Sequence, residues 1–297
     1  SQHLGDLEDA EGAALLERTA RDLLRFFDAK PAALACDQHP DYTSTRVAER
    51  LASEWGVRLV RVQHHHAHAA AVAAEHGLDG ELLGLCWDGT GWGPDGTIWG
   101  GEALALSGAG YRRLARLRPF PLPGGDLAAK EPRRAALGLL FALSPSLARD
   151  RAGTWFTADE AAALLGMLER GFNAPLTSSA GRLFDAVSAI AGIRDRNGFE
   201  GQAAMELEFA AEGIEAEPYP LPLVDEGELL AADWRPMLEA LLAQVDSGVP
   251  AGVIGARFHE TLARLVVSIA RRAAVSRVAL AGGCFQNERL MDRAMKG

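Results

Sequence analysis

The feature that most limits the fold of this chain is the alternation of short apolar runs with helix-like segments between residues 32 and 75. Ala32–Asp37 and Val57–Val62 are apolar runs of strand length, and a helical pattern follows each of them. We predict helices over Ser44–Trp55 and from the histidine-rich segment to Glu75. Strand–helix–strand–helix order is typical of α/β proteins.

The remaining sequence predicts a hairpin, a long helical region and a final strand–turn–helix. Residues 82–106 read as two strands around the glycine-rich segment Asp88–Thr97, where Pro94-Asp95-Gly96 has the composition of a tight turn. Residues 131–211 are predicted to be mostly helical and residues 213–227 to form a loop. The other predicted elements are helices over 7–29, 233–246 and 251–273, a strand over 277–281 and a helix that begins near Asn287.

Charge and hydropathy exclude several classes of function. The formal net charge is -10 at pH 7, which argues against a nucleic-acid-binding surface, because such surfaces depend on clustered Lys and Arg. The one basic cluster, Tyr111–Arg118, is predicted to line a strand and not to bind an anion. No apolar run has the length of a membrane span, and the first residues lack a signal-peptide pattern.

The three cysteines are far apart in the sequence, and none forms a C-x-x-C pair. Cys36, Cys86 and Cys284 each lie in or beside an apolar run, so we predict three buried thiols. The absence of a disulfide framework favours a reducing compartment, and we therefore expect a cytoplasmic protein.

Four of the eight histidines, His64, His65, His66 and His68, lie within five positions. Residues i and i+4 share one face of a helix, so His64 and His68 can bind one ion, and His65 with His68 is the competing pair. Asp88 is the predicted third ligand, because two imidazoles rarely complete a site for a divalent ion. The alternative is a solvated histidine-rich helix with Asp88 as a turn cap. The metalloprotease pattern H-E-x-x-H is absent.

Three glycine-containing turns are candidates for a nucleotide site. Backbone N–H groups at Asp88–Gly91, and at the helix start after Gly282-Gly283, suit phosphate oxygens. In Thr177–Asp185 a serine can cap a helix that places Arg182 and Asp185 on one face, although this spacing also suits a surface ion pair. Together the turns predict a nucleotide site divided between two lobes.

Several motifs occur together in one order along nearly the whole chain. They are Ser1–Glu8, Gln63–His68, Asp88–Gly91, Trp99–Glu102, Gly124–Asp126 with Lys130–Pro132, Ser178–Asp185, Glu200–Ala204 and Gly282–Asn287. This combination resembles the C-terminal carbamoyl-transfer region of the HypF family, the carbamoyltransferases of nickel–iron hydrogenase maturation. No single motif among them is as specific as their combination.

The resemblance implies an α/β fold of two ribonuclease-H-like lobes in the actin-like ATPase superfamily, with helical insertions. TsaD, the tRNA threonylcarbamoyl transferase, and antibiotic O-carbamoyltransferases share that fold. Residues 1–80 are expected to be the remainder of the first lobe, and residues 81–297 the second lobe, with a helical insertion at about 127–250. The resemblance also implies truncation at both ends. Acylphosphatase-like, zinc-finger and carbamoyl-adenylate-forming domains are expected before the chain, and an Asp-Gly-Gly segment with a further metal ligand after it.

The resemblance also assigns functional positions. His64, His68 and Asp88 match the family's metal ligands, and either Fe(II) or Zn(II) suits them. The predicted nucleotide-binding positions are Asp88, Gly89, Thr90, Gly91, Asp185, Gly201, Gly282, Gly283 and Asn287. Lys130, Arg133 and Arg182 are further candidate phosphate contacts.

The implied reaction transfers a carbamoyl group from carbamoyl-adenylate, made from ATP and carbamoyl phosphate by the preceding domains, to the C-terminal Cys thiolate of the partner HypE. Dehydration there yields the cyanide ligand of the hydrogenase iron. We expect no nucleic-acid or membrane partner and no covalent protein nucleophile. The alternatives are carbamoyl transfer to a small molecule or tRNA, a non-catalytic metal- or nucleotide-binding scaffold, and a sugar-kinase-like ATPase.

Overall fold

The computed structural model describes Leu4, Leu7 and residues 10–297. Its contacts divide the chain into two compact units, Ser1–Ala67 and His68–Gly297. Apart from Leu4 and Leu7, the opening motif Ser1–Glu8 lies outside the described residues, as do two positions of the helix predicted over 7–29.

The first unit contains a two-stranded parallel sheet. Its elements are α1 (Ala10–Phe26), β1 (Ala33–Asp37), α2 (Thr43–Trp55), β2 (Arg58–Val62) and the start of α3 (His64–Glu75). The strands pair in register with Asp37 opposite Val62. Because the strands are parallel, both carboxyl ends lie at one edge of the sheet, and α3 begins directly after the second of them. The predicted strand–helix–strand–helix order is confirmed.

A mixed sheet forms the centre of the second unit. Its strands are β3 (Leu82–Trp92), β4 (Ile98–Ser107), β5 (Gly110–Leu117), β6 (Phe120–Pro121), β7 (Leu176–Thr177), β8 (Leu223–Glu226), β9 (Leu229–Ala232) and β10 (Val278–Ala281). Their order is β10-β3-β4-β5-β9-β8, with β7 pairing with β4 and β6. β10 runs parallel to β3, whereas β3 and β4 are antiparallel, which confirms the predicted hairpin over 82–106.

Helices supply the rest of the core. They are α4 (Leu127–Lys130), α5 (Pro132–Leu143), α6 (Pro145–Ala152), α7 (Ala158–Arg170), α8 (Ala180–Ile190), α9 (Gln202–Ala210), α10 (Arg235–Asp246), α11 (Ala251–Ala273) and α12 (Glu288–Lys296), with a 3-10 turn over Gly283–Gln286 before the last. Across the described part of the chain, no helix is both long enough and apolar enough to cross a membrane.

Strand β3 lies between β10 and β4, and its first part is deeply buried. Its first six residues, Leu82–Trp87, are all buried, as expected for a strand covered on both faces. Trp87 stacks on Phe285 with ring centroids 5.3 Å apart, and Phe184 of α8 meets Phe258 of α11 edge to face at 4.9 Å. The position that follows Trp87 is therefore held by packing on both sides.

The prediction that residues 213–227 form a loop is wrong for their last part. β8 pairs antiparallel with β9 across a turn at Gly227, whose φ is +78°. Both strands are only four residues long, and β8 is acidic and largely exposed. Neither therefore has the sustained apolar alternation from which a strand is recognised.

Helix α5 provides a test of the packing. A Cβ added at Gly138 would lie 1.9 Å from the carbonyl oxygen of Pro121. We expect Gly138→Ala to push α5 away from β6 and to lower the free energy of unfolding by about 1–3 kcal/mol, the usual effect of overpacking. Chemical denaturation measures the change.

Gly153→Ala is the matched control. Gly153 has a helical φ of -63°, and nothing lies within 4 Å of an added Cβ. This substitution is expected to be neutral or to stabilise the protein by up to about 1 kcal/mol, since it restricts only the unfolded chain. Equal denaturation midpoints for both variants would show that α5 and β6 are not in close contact.

Candidate metal centre

The first turn of α3 is fixed by Gln63, which is almost fully buried. Its Oε1 accepts a hydrogen bond from the backbone N–H of His66 at 2.8 Å, and its backbone carbonyl accepts from Ala67 N–H at 2.9 Å. Gln63 thus satisfies N–H groups that a helix start leaves without partners. The histidine-rich turn therefore has a defined orientation at the end of β2.

His64 is held by an acidic residue that the sequence did not single out. Its Nδ1 lies 2.8 Å from Oδ2 of Asp37, the last residue of β1. The other oxygen of Asp37 accepts the backbone N–H of His39 at 2.8 Å. Burial acts to raise the pKa of Asp37, but these hydrogen bonds outweigh it and hold the pKa below its usual value. Asp37 is therefore ionised at neutral pH.

His68 and Asp88 complete the cluster. The Nε2 of His68 lies 3.1 Å from Oδ2 of Asp88. Helix α3 runs without interruption through both histidines, so His64 lies one turn before His68. One ligand atom from each of His64, His68 and Asp88 lies within 4.8 Å of the others. Two imidazole nitrogens and one carboxylate oxygen are a donor set that suits a borderline divalent ion such as Zn(II) or Fe(II).

The neighbouring histidines have other contacts. His65 is fully buried, and its Nδ1 lies 3.2 Å from Nε2 of Gln63. Burial lowers the pKa of His66, which keeps that imidazole neutral. Within the described residues the only grouping of three ligating side chains is the one that contains His64. The structure thus brings His64, and not His65, together with His68 and Asp88.

Asp88 lies where the pairing of β3 and β4 is irregular. The register between the two strands shifts between Trp87 and Gly91. Such bulges change the direction in which a side chain points. The Oδ1 of Asp88 accepts the N–H of Gly89 at 2.8 Å, and Oδ2 is the oxygen nearest His68. The exposed Thr90 lies on the same irregular stretch.

The three glycine-containing turns predicted for a nucleotide site meet at Asp88 and Gly89. The hydroxyl of Ser179 donates to the carbonyl oxygen of Asp88 at 2.7 Å. A Cβ added at Gly181 would lie 2.8 Å from Cα of Gly89, so the start of α8 touches the backbone of β3. A Cβ added at Gly283 would lie 3.3 Å from Oδ1 of Asp88. Larger residues at these glycines would separate the turns.

Arg182 and Asp185 form a buried ion pair beside these turns. Nη1 of Arg182 lies 2.6 Å from Oδ2 of Asp185, and both side chains are nearly inaccessible. Burial raises the pKa of Asp185, an effect that the guanidinium opposes. The alternative of a surface ion pair is therefore wrong. Nη2 of Arg182 also lies 3.0 Å from the position of a Cβ on Gly89, which places a positive charge at that backbone.

The remaining predicted nucleotide and phosphate positions lie on other elements. Lys130 is the exposed last residue of α4, and Gly201 starts α9 with a φ of +77°. Arg133 is buried: it donates to the carbonyl oxygen of Trp155 at 2.6 Å and stacks over Phe156. The guanidinium of Arg133 is thus engaged with Trp155, Phe156 and the carboxylate of Glu131.

Asn287 joins α12 to α11. Its Oδ1 accepts the N–H of Leu290 at 2.7 Å, and its Nδ2 lies 2.9 Å from Nε2 of the fully buried His259. Nδ1 of His259 lies 2.7 Å from the carbonyl oxygen of Gly255, which can only accept. Nδ1 therefore carries the hydrogen and Nε2 accepts from Asn287. These hydrogen bonds fix the orientation of the Asn287 side-chain amide, because its oxygen and its nitrogen each have a defined partner.

A buried charge network near the site was missed from the sequence. Glu102 is fully buried on β4, where it pairs with Nε of Arg113 at 2.5 Å and accepts from the hydroxyl of Ser178. Arg113 also lies 3.9 Å over the ring of Trp99. The sequence contained one signal of this network, an acidic residue in an otherwise apolar strand. A buried carboxylate needs a cationic partner, so Glu102 could have been predicted to pair with an Arg or Lys. The network holds Ser178, next to the cap of α8, against β4.

The cysteines are three free thiols. Cys86 is buried, whereas Cys36 and Cys284 are only partly buried, so the prediction of three buried cysteines is wrong for those two. Burial raises the pKa of Cys86 to about 12. Desolvation and the nearby Asp88 carboxylate also raise the pKa of Cys284 far above its usual value. Both groups therefore stay protonated near neutral pH and are poor nucleophiles.

Comparison with known proteins finds relatives over nearly the whole chain. The family model described as Carbamoyltransferase, Kae1-like Domain, second subdomain matches residues 84–297, and the HypF Kae1-like domain matches residues 1–75. Carbamoyltransferase HypF of Synechocystis sp. is 39% identical over 97% of this chain. The crystal structure of full-length HypF in the phosphate- and nucleotide-bound form superimposes with a TM-score of 0.91 at 34% identity, covering 100% of this chain and 46% of that one. For T. kodakarensis HypF the TM-score is 0.88 at 33% identity, covering 100% and 40%.

Fold and matches together define a Kae1-like α/β protein, which confirms the predicted fold class within the actin-like ATPase superfamily. The chain belongs to the HypF carbamoyltransferase family. It spans 39% of the length of its Synechocystis relative.

The bond between His259 and Asn287 predicts a pH effect on stability. Burial lowers the pKa of His259 to about 4, below the value of 6.5 expected when it is unfolded. The unfolded state therefore binds the proton first, and stability falls as the pH decreases from about 6.5 to about 4. We expect the stability difference between the wild type and His259→Gln to shrink by about 2–3 kcal/mol between pH 7.5 and pH 4.5. Chemical denaturation at both pH values measures it.

His76→Gln is the control, because His76 is exposed just after α3. Because this side chain is exposed, its substitution should change the free energy of unfolding by no more than about 0.5 kcal/mol at either pH. A difference for His259→Gln that does not depend on pH would mean that the His259 imidazole is not held neutral in the folded protein.

Proposed function

We propose that this protein contains the carbamoyl-transfer site of a HypF-type enzyme in nickel–iron hydrogenase maturation. The observation that carries the proposal is the convergence of His64, His68 and Asp88 at the turns around Gly89. Membership of the HypF family supplies the reaction class.

His64, His68 and Asp88 are the residues that would hold a divalent cation, Fe(II) or Zn(II). Two neutral imidazoles with one carboxylate leave a net positive charge on such an ion and suit sites that keep positions open for a substrate. When bound, the ion supplies Lewis-acid polarisation of a carbonyl or phosphoryl oxygen. Asp88 links this cluster to the nucleotide side, because its own backbone carries the contact with Ser179.

The turns around Gly89 would bind the adenylate of the carbamoyl donor. Ser179 caps α8 and accepts the N–H of Arg182 at 3.0 Å, so the helix starts directly at the Gly89 backbone. A helix start and the Arg182 guanidinium both favour an anion. A solved relative is described as a phosphate- and nucleotide-bound form, which supports an ATP-derived ligand here. Gly282 and Gly283 would allow the ligand to approach the backbone on the other side.

The acceptor we propose is the C-terminal Cys thiolate of HypE. The thiolate attacks the carbonyl carbon of carbamoyl-adenylate and forms a C–S bond. The bond from that carbon to the phosphate oxygen breaks, and AMP leaves with the electron pair. The raised pKa values of Cys86 and Cys284 keep the protein's own thiols at the site from competing as acceptors.

Transfer to HypE is tested by supplying the protein with carbamoyl-adenylate and a peptide that ends in the HypE cysteine. We expect the peptide to gain the mass of one carbamoyl group while AMP is released. His64→Ala with His68→Ala should reduce the rate by at least about 100-fold, because charge neutralisation at the leaving group is lost. Mass spectrometry of the peptide and chromatography of the nucleotide measure both products.

His76→Ala is the matched control, since this exposed histidine follows the same helix. It should leave transfer unchanged. A double variant as active as the wild type would remove the metal role. Metal-dependent binding of AMP without transfer would favour a non-catalytic scaffold. Release of ADP without a carbamoyl donor would favour a sugar-kinase-like ATPase. Carbamoylation of a small hydroxyl compound or of tRNA, and not of the peptide, would show that the acceptor is not HypE.

A further inference from the structure

We propose that Asp37 is a positioning residue that selects the tautomer of His64. The Asp37 carboxylate would keep the hydrogen on Nδ1 of His64, so that the lone pair of Nε2 is available to a cation. This inference rests on the proposed metal site and adds to it a residue outside the three ligands.

The position of Asp37 is set by the backbone of the first unit. It is the last residue of β1, directly opposite the last residue of β2, and α3 starts two residues beyond that point. The backbone carbonyl of Asp37 accepts the hydroxyl of Thr45 at 3.3 Å, and its Oδ1 accepts the N–H of His39 at 2.8 Å. The first contact fixes the backbone of Asp37, and the second orients its carboxylate independently of His64.

The remaining oxygen, Oδ2, lies 2.8 Å from Nδ1 of His64. The exposed fractions of the two side chains are 14% for Asp37 and 28% for His64, so the bond is partly shielded from water. A hydrogen bond of this length between partly buried groups is not easily exchanged for water.

The chemistry of the two groups determines where the hydrogen lies. An ionised carboxylate can only accept, whereas a neutral imidazole has one donor and one acceptor nitrogen. Nδ1 of His64 must therefore donate, and Nε2 is left as the acceptor, the form in which an imidazole binds a metal. Carboxylates that bind the second nitrogen of a ligand histidine fix its ring orientation and raise its basicity.

The substitution Asp37→Asn tests the inference with almost no change in shape. If the amide oxygen keeps the bond to His39, the amide NH2 faces His64 and can only donate. Nδ1 must then accept, the hydrogen moves to Nε2, and that nitrogen no longer offers a lone pair. We expect binding of Zn(II) alone, measured by isothermal titration calorimetry, to weaken by about 10–100-fold. Asp37→Ala should weaken binding as well, since it removes the acceptor.

Asp41→Asn is the matched control. Asp41 lies in the same segment, but its side chain is 73% exposed and pairs with Arg46. Its substitution should leave Zn(II) affinity within about two-fold of the wild type, as expected for an exposed ion pair. A loss as large as that of Asp37→Asn would mean that any charge change in this segment weakens binding, and it would overturn the inference.

Nitrogen-15 chemical shifts of the histidine rings in the metal-free protein provide a readout that a merely structural role would not change. At pH 8 the wild type should show His64 in the Nδ1–H form and Asp37→Asn should show it in the Nε2–H form. If wild-type His64 is in the Nε2–H form, the inference is wrong, whether or not any variant folds.

The two proposals fail in different ways. If the wild type and His64→Ala bind Zn(II) equally, the proposed metal site is wrong, and the tautomer of His64 still decides the role of Asp37. If the wild type binds and His64→Ala does not, the site stands, and an unchanged affinity of Asp37→Asn overturns the role of Asp37 alone.

Discussion

The burial of β3 between its neighbours is the constraint on which the site depends. β3 is parallel to β10 and antiparallel to β4, and packing on both faces holds Trp87, the last residue of its continuous buried run Leu82–Trp87. Gly282 follows β10 with a φ of +93°, and a Cβ there would lie 2.3 Å from the carbonyl oxygen of Trp87, so only glycine fits. Asp88 directly follows Trp87 in the chain. Its carboxylate lies beside His68 and Gly283, and its backbone carbonyl accepts a hydrogen bond from Ser179. The position of Asp88 in the candidate site is thus set by the packing of β3.

Charged groups near the site are each matched by a partner. Glu102 contacts Arg113, and Arg182 contacts Asp185, so both buried carboxylates have a guanidinium within hydrogen-bonding distance. An unpaired charge at these depths would strongly destabilise the fold. The two carboxylates beside the histidines differ, because Asp37 and Asp88 each contact an imidazole, a group that can exchange a proton for a metal ion. The pairing therefore distinguishes a structural charge network from a cluster suited to bind a cation.

Local patterns and long-range contacts were not equally predictable. The predicted hairpin over 82–106 and the helices over 251–273 and after Asn287 agree with the structure, because each has a continuous periodic pattern. β8 and β9 were missed, since their pairing partners, not their own four residues, make them strands. The role of Arg113 was also missed: the Arg-rich cluster was predicted only to line a strand, and nothing local indicates that the partner of Arg113 is the buried Glu102.

For the site itself, the sequence alone determined the spacing of His64 and His68, because helical geometry is local and places residues four apart on one face. It also indicated Asp88 as the third ligand, from its position at the end of an apolar strand. Only the tertiary structure decided that His64 and not His65 joins the cluster, that Asp37 contacts His64, and that Gly181 and Gly283 lie against the Asp88 loop. These contacts join residues far apart in the chain, and the pairing of the strands and the packing of α8 on β3 bring them together.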